Sequence, residues 1–135
     1  MYPYYEKMSQ KIKETLSNET DLEKQIKKTF KRRGLKAIKL ARNNGIKKVY
    51  TTDGKELWIA EGRRGRYLII PMYYCSCNGF TTLIASGENE PCYHLIAQAY
   101  AQLKNIYSEE HTSKTYDELL IELLEISTKK ETKTK

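Results

Sequence analysis

Two short stretches decide the fold of this chain, YCSCNGF at residues 74–80 and PCYHLIA at residues 91–97. They contain all three cysteines and one of the two histidines. The first carries a Cys-x-Cys pair, and in an extended segment residues with that spacing project to the same side. The second carries a Cys-x-His pair at a predicted helix start. Zinc takes four tetrahedral ligands from sulfur and nitrogen. The sequence therefore predicts one structural zinc ion (Zn2+), held by Cys75, Cys77, Cys92 and His94.

Two other interpretations compete for these four residues. Buried cysteines can be small hydrophobic residues, and a buried histidine can be a satisfied core group. Alternatively, Cys92 with His94 as its base would form a nucleophilic pair. A closed four-ligand site leaves no open position for chemistry, and no third orienting group is evident. The pattern thus favours a structural metal and predicts no enzymatic activity, with no catalytic residues and no small-molecule substrate.

The two stretches resemble a SWIM zinc finger, whose pattern is Cys-x-Cys, a variable spacer and then Cys-x-His. The aromatic residue Phe80 and the small residue Ala97 are also similar to that family, and the resemblance covers about residues 46–103. It implies a pair of strands before the first ligands and a helix that carries the last. The chain departs from the pattern at Tyr93, where a basic residue often precedes the histidine.

That resemblance also implies a role in DNA or protein binding. Small stand-alone SWIM proteins resemble Shu-type recombination factors, which pair with RecA-like recombinase paralogs. This chain is similar in size and order, with helices before the finger and one after it. The resemblance specifies zinc and a local fold more closely than it specifies a biological process.

Around the finger, the sequence predicts an α+β fold. Strand-like residues at 46–50, 57–60 and 67–70 predict a three-stranded antiparallel meander that leads into the first ligands. Helices are predicted over 5–16, about 20–33, 35–42, about 91–106 and 114–127, with Gly34 as the stop of the second and 78–91 as a loop. The predicted organisation is a basic helical region at 1–45, a SWIM zinc-finger domain at 46–107, a C-terminal amphipathic helix at 108–127 and a disordered tail at 128–135.

Charge is unevenly distributed along the chain. Residues 1–66 have a net charge of +10 and residues 67–135 a net charge of −3. From Lys24 to Lys48 there are 11 Lys/Arg and no acid, a pattern typical of a polyanion-binding face or of solvated helices. Nucleic-acid contacts are predicted, without a base-reading motif, for Lys24, Lys27, Lys28, Lys31, Arg32, Arg63, Arg64 and Arg66. The tyrosines Tyr67, Tyr73 and Tyr100 are expected in the core.

The last helix has a wide apolar band. A short helix needs a packing surface, which is either the core of the domain or a groove on a partner. The partner-binding interpretation assigns Leu119, Leu120, Leu123 and Leu124.

An odd number of cysteines suits a reducing compartment, and the chain lacks a signal-peptide pattern and a membrane-spanning run. The expected location is the cytoplasm, with nucleoid or nuclear association open, and no membrane partner. The functional hypothesis is an accessory factor in DNA recombination or repair that binds DNA or RNA with weak sequence specificity and pairs with a RecA-like paralog. The alternatives are an RNA- or ribosome-associated zinc protein and a pure protein-interaction adaptor.

Overall fold

A five-stranded sheet separates two layers of helices. The structure, a computed structural model, describes residues 3–16, 21–63, 65–86 and 90–133. The strands are β1 Ile46–Tyr50, β2 Glu56–Gly62, β3 Gly65–Ile70, β4 Tyr74–Cys75 and β5 Ser108–His111, in the order β4-β3-β2-β1-β5. The helices are α1 Pro3–Leu16, α2 Leu22–Phe30, α3 Arg32–Arg42, α4 Asn78–Ala85, α5 Tyr93–Lys104 and α6 Tyr116–Lys133. The predicted α+β fold with helices at both ends is confirmed.

The predicted meander forms the centre of this sheet. β1 pairs antiparallel with β2, and β2 pairs antiparallel with β3. Gly54, in the turn between β1 and β2, has a φ of 78°, a conformation that glycine adopts without steric cost. Side chains along β2 alternate, so that Trp58 joins the core under α1–α5 while Ile59 joins the core under α6.

Strand β5 does not follow from the sequence pattern. Its residues are Ser-Glu-Glu-His, which lack the apolar alternation of a predicted strand. It runs parallel to β1 at the sheet edge, and the Lys47 ammonium lies 3.3 Å from the Glu110 carboxylate. Backbone pairing, this ion pair and the contacts of Tyr50 with Glu109 and His111, rather than apolar burial, hold the strand. The sheet therefore crosses the predicted boundary between residues 107 and 108.

The break between α2 and α3 corrects the predicted role of Gly34. The chain turns at Lys31, which has a φ of 55°, and Gly34 lies buried inside α3. A Cβ at position 34 would be 2.5 Å from the carbonyl oxygen of Ile26. Glycine is therefore needed there for the close approach of α3 to α2, not for ending a helix.

Three segments after the meander also differ from prediction. Residues 78–85 form α4 instead of loop, and α5 begins at Tyr93 with Cys92 as its N-cap, so Pro91 lies outside the helix. The last helix starts at Tyr116 and continues to Lys133, through most of the segment predicted to be a disordered tail. Lysine and glutamate are good helix formers, which explains why the backbone continues past Ser127.

Two apolar cores lie on opposite faces of the sheet. The larger one joins α1, α2, α3, α4 and α5 to the sheet, with Ile12, Ile26 and Leu95 among its buried residues. The smaller one consists of sheet residues together with Leu119 and Leu123 of α6. Over the part of the chain that the structure describes, no helix combines the length and apolar character needed to cross a membrane.

Candidate metal centre

The four predicted zinc ligands converge at one point. The sulfur and ring-nitrogen atoms that Cys75, Cys77, Cys92 and His94 offer all lie within 4.8 Å of one another. All four residues are buried against the larger core. Three thiols and one imidazole are a donor set that structural zinc sites use. The cluster can hold one metal ion.

The Cys-x-Cys pair is positioned by the edge of the sheet. Cys75 ends β4, where it pairs with Ile69 of β3. The next residue, Ser76, is anchored twice: its backbone N–H donates to the carbonyl of Leu68, and its hydroxyl accepts from the N–H of Leu68, both over 3.0 Å. These bonds fix the backbone between the two cysteines, so that both sulfurs face the same point.

Two helices begin at the other ligands. Cys77 directly precedes α4, and its Sγ accepts the backbone N–H of Phe80 over 3.3 Å. Cys92 is the N-cap of α5, and His94 stands in the first turn of that helix. Helix N-termini stabilise nearby negative charge, so the start of α4, where the Phe80 N–H donates to Cys77 Sγ, favours a thiolate at Cys77. Helix α4 is therefore part of the site, a contribution that sequence periodicity did not indicate.

An unsatisfied nitrogen shows that the site fits a metal. His94 is 7% exposed, and its buried Nδ1 has no hydrogen-bond partner among the described residues. A buried polar nitrogen without a partner is costly. A cation coordinated by the cluster would compensate for that cost.

Burial and hydrogen bonds among the three cysteines give their thiols different pKa values. Burial raises the pKa of Cys75 well above its usual value, and raises the pKa of Cys92 to about 12. Hydrogen bonds with Cys75 and then with Cys92 lower the pKa of Cys77. Without a cation, the cluster thus favours one thiolate and two neutral thiols. A divalent cation supplies the charge that makes three thiolates compatible with burial.

Aromatic rings surround the histidine. The rings of Tyr67 and Tyr93 have centroids 5.0 Å and 4.1 Å from that of His94. The ammonium of Lys36 lies 5.7 Å from the Tyr93 centroid. Tyr93, the residue directly before the histidine, thus has a cation of α3 close to its ring. Of the tyrosines expected in the core, Tyr100 is buried, whereas Tyr73 is 48% exposed in the turn before β4.

The cations of α2 and α3 form an exposed surface. We call the basic helical face the set of exposed residues Lys24, Lys27, Lys28, Lys31, Arg32, Lys36 and Lys39. None of them forms an ion pair within the described residues. The face includes five of the predicted nucleic-acid contacts and adds Lys36 and Lys39 to them.

The predicted arginine contacts are only partly available. Arg63 is exposed in the turn between β2 and β3. Arg66 is half-buried, and its Nε lies 3.5 Å from the Glu61 carboxylate. An acidic neighbour reduces what Arg66 can offer a phosphate. Arg64 lies outside the described residues.

Two of the four leucines assigned to a partner occupy the chain's own core. Leu119 and Leu123 are buried against β-sheet residues such as Ile59, and Leu120 packs beside them. Leu119 and Leu123 are therefore not accessible to a partner, which corrects their assignment. Leu124 remains 39% exposed, and Ile121, which the prediction omitted, is 55% exposed. The apolar band of α6 is wide enough for more than one of its faces to pack on the sheet. The sequence therefore does not determine which of its apolar residues are buried.

The geometry thus supports a metal-binding role for an α+β protein. Comparisons of the chain with protein-family models, with curated proteins and with solved structures find no match in any of the three.

Proposed function

We propose that this chain is a non-enzymatic zinc protein that binds nucleic acid through the basic helical face. One observation carries the proposal: Lys47 and Lys48 of the sheet have acidic partners, whereas the cations of this face have none among the residues that the structure describes. On the sheet, Lys47 pairs with Glu61 and Glu110, and Lys48 lies 3.4 Å from Glu56. A surface rich in cations that no internal acid neutralises is the electrostatic footprint of a polyanion site.

The turn between β2 and β3, which carries Arg63, extends this surface. A Cβ at Gly62 would lie 3.9 Å from Cδ1 of Leu40, near the end of α3. The Glu61 N–H also donates to the carbonyl of Gly45 over 2.7 Å. The exposed Arg63 therefore stands beside the C-terminal end of α3. Exposed lysine and arginine side chains bind the phosphates of the backbone and do not read the bases, so binding should be weakly sequence-specific.

We further propose that the metal centre is a SWIM-type finger and that its role is structural. The Cys-x-Cys pair on a sheet edge and the Cys-x-His pair at a helix start support this assignment. The resemblance to Shu-type factors supports a role as an accessory subunit in DNA recombination or repair, beside a RecA-like ATPase. A metal held by Cys75, Cys77, Cys92 and His94 would tie the start of α5 to the sheet edge. Helix α5 packs on α3, which presents the basic helical face.

Elemental analysis of protein purified without added zinc tests the metal assignment. We expect about one zinc per chain, the stoichiometry of a four-ligand site. His94→Ala should lose the metal and lower the unfolding temperature, because metal-binding energy contributes to folding. His111→Ala is the matched control, since His111 is exposed on β5, and it should retain both. Wild-type protein that is metal-free and equally stable with or without added zinc would contradict the assignment.

Fluorescence anisotropy with single-stranded DNA, duplex DNA and RNA tests the nucleic-acid role. Lys27→Glu/Lys31→Glu should weaken binding and reduce the salt slope by roughly 1 for each phosphate that the variant no longer neutralises. Lys13→Glu/Lys104→Glu makes the same change of charge at exposed positions elsewhere and should weaken binding less. Equal weakening in both variants would reject a localised face. Preference for RNA would favour the ribosome-associated alternative, and no binding to any of the three would leave the protein-interaction adaptor.

A further inference from the structure

The outward side of α6 carries apolar residues beside acids. At about 100° per residue, the buried Leu119 and Leu123 place Asp117, Ile121 and Leu124 on the opposite side of the helix. Ile121 is the most exposed large hydrophobic residue described, at 55%. Asp117 is exposed one turn before it. We call Asp117, Ile121 and Leu124 the α6 stripe.

The basic helical face has a related arrangement with the opposite charge. On α3, the buried Gly34, Ala37, Ile38 and Ala41 define the inner side. Arg32, Lys36 and Lys39 therefore lie on the outer side, and Leu35 stands beside them with 40% of its surface exposed. One helix thus presents aliphatic side chains next to an acid, and the other presents an aliphatic side chain among cations.

We propose that the α6 stripe of one copy docks on the basic helical face of a second copy. Such a contact would cover Ile121 and Leu35 together and place Asp117 among Arg32 and Lys39, which have no ion-pair partner within the described residues. Opposite charges on the two surfaces favour this orientation, whereas pairing α6 with its own copy would bring Asp117 and Glu118 toward like charges.

The two surfaces are different, so the contact is heterologous and copies associate head to tail. A contact between single helix faces is small, and association should be weak and dependent on concentration. The docked copy covers the basic helical face, so nucleic acid should compete with self-association. That competition rests on the proposed function, whereas self-association itself is measured without nucleic acid.

Sedimentation velocity of the zinc-loaded full chain provides the first test. The weight-average sedimentation coefficient should increase with protein concentration at low salt. Raising salt from about 0.1 M to about 1 M, which shortens the screening length from about 10 Å to about 3 Å, should reduce the increase. A coefficient that stays at the monomer value across the concentration series at low salt would overturn the proposal.

Two charge variants identify the surfaces. Asp117→Lys/Ile121→Lys changes only the α6 stripe, and Arg32→Glu/Lys39→Glu changes only the basic helical face. All four positions are exposed, and circular dichroism would verify that both variants fold. Each variant alone should be monomeric. Arg32→Lys/Asp117→Glu conserves both charges and should associate like the wild type.

Mixing the two variants gives the decisive result. The first variant keeps its basic helical face and the second keeps its α6 stripe, so the wild-type contact can still form between them. We expect the mixture to associate although neither variant associates alone. An Arg32→Glu/Lys39→Glu variant that associates as strongly as the wild type would overturn the proposal, because α6 would then pair with α6 or another surface. A mixture that stays monomeric would overturn it as well.

Discussion

The ammonium group of Lys36 lies 5.7 Å from the centroid of the Tyr93 ring, which joins the basic helical face to the metal centre. Tyr93 stands between the ligands Cys92 and His94, and Lys36 belongs to α3. A cation at this distance from an aromatic face is attracted by the electrons of the ring. The position of α3 is thus connected, through one side-chain pair, to the backbone that carries two of the candidate metal ligands.

A double-mutant cycle measures this connection. Lys36→Met and Tyr93→Leu should show a coupling free energy of about 0.5–1 kcal/mol in the metal-loaded protein. Tyr93→Phe retains the aromatic face and should retain the coupling with Lys36. Urea unfolding of the wild type, both single variants and the double variant provides the values. Additive single effects would show that the two side chains are merely adjacent.

Gly34→Ala should destabilise the protein by about 1–3 kcal/mol, the range for overpacking a close contact. The added Cβ would lie 2.5 Å from a backbone oxygen of Ile26, so α2 and α3 would have to separate. Chemical denaturation provides the measurement. Lys28→Ala on the exposed side of α2 is the control and should change stability by less than about 0.5 kcal/mol. If Gly34→Ala were as stable as wild type, the two helices would not approach as described.

Leu123→Ala should cost about 2–5 kcal/mol, as expected for a fully buried leucine, because Leu123 is 0% exposed in the core between α6 and the sheet. Ile121→Ala removes a similar volume from the opposite side of the same helix and should have a small effect on the free energy of unfolding. Denaturation at low protein concentration and high salt separates folding from self-association. Equal costs for both substitutions would indicate a different rotation of α6.

Asp53 connects the hairpin turn to α6 in a way that depends on pH. Its Oδ1 accepts the hydroxyl of Thr51 over 2.6 Å and the N–H of Tyr116 over 3.0 Å. These bonds favour the ionised carboxyl, and the Thr51 hydroxyl is the largest cause of the lowered pKa of Asp53. As the pH falls below the ordinary pKa of an aspartate, the folded state therefore binds fewer protons than the unfolded state.

The stabilisation from Asp53 should be fully present above about pH 4 and lost as the pH falls through the lowered pKa. Unfolding temperatures of wild type and Asp53→Asn, measured between about pH 2 and about pH 6, provide the test. The wild type should be more stable near the upper limit, and the difference should shrink toward the lower limit. A difference that does not vary with pH would contradict an ionised Asp53.

Local patterns were sufficient to predict the cluster of four candidate ligands and the meander. Cys-x-Cys and Cys-x-His state the ligand set directly, because few other arrangements use those residue types at that spacing. The strands β1, β2 and β3 alternate or run apolar between turn residues, so their pattern appears in each segment separately. The basic run from Lys24 to Lys39 is likewise visible without coordinates. Only the structure shows that the basic helical face has no ion-pair partner among the described residues.

The remaining features depend on contacts between segments distant in sequence. Strand β5 consists of polar residues and exists because β1 offers it an edge. The sequence predicts that Gly34 ends a helix, and only the structure shows that the backbone of Ile26 lies against it. For α6, an apolar band wide enough to face several ways predicts a helix, but only packing on the sheet decides that Leu123 is buried and Ile121 exposed.

By itself, then, the sequence determined which four side chains would meet, because the types and spacing of the ligands are local properties of the chain. Only the tertiary structure decided how they are held and what is left for partners. A ligand must be positioned by a strand edge or a helix start, and a surface is defined by what the rest of the chain does not cover. The positioning of a ligand and the exposure of a surface both depend on contacts between residues far apart in the sequence. No short segment contains those contacts by itself.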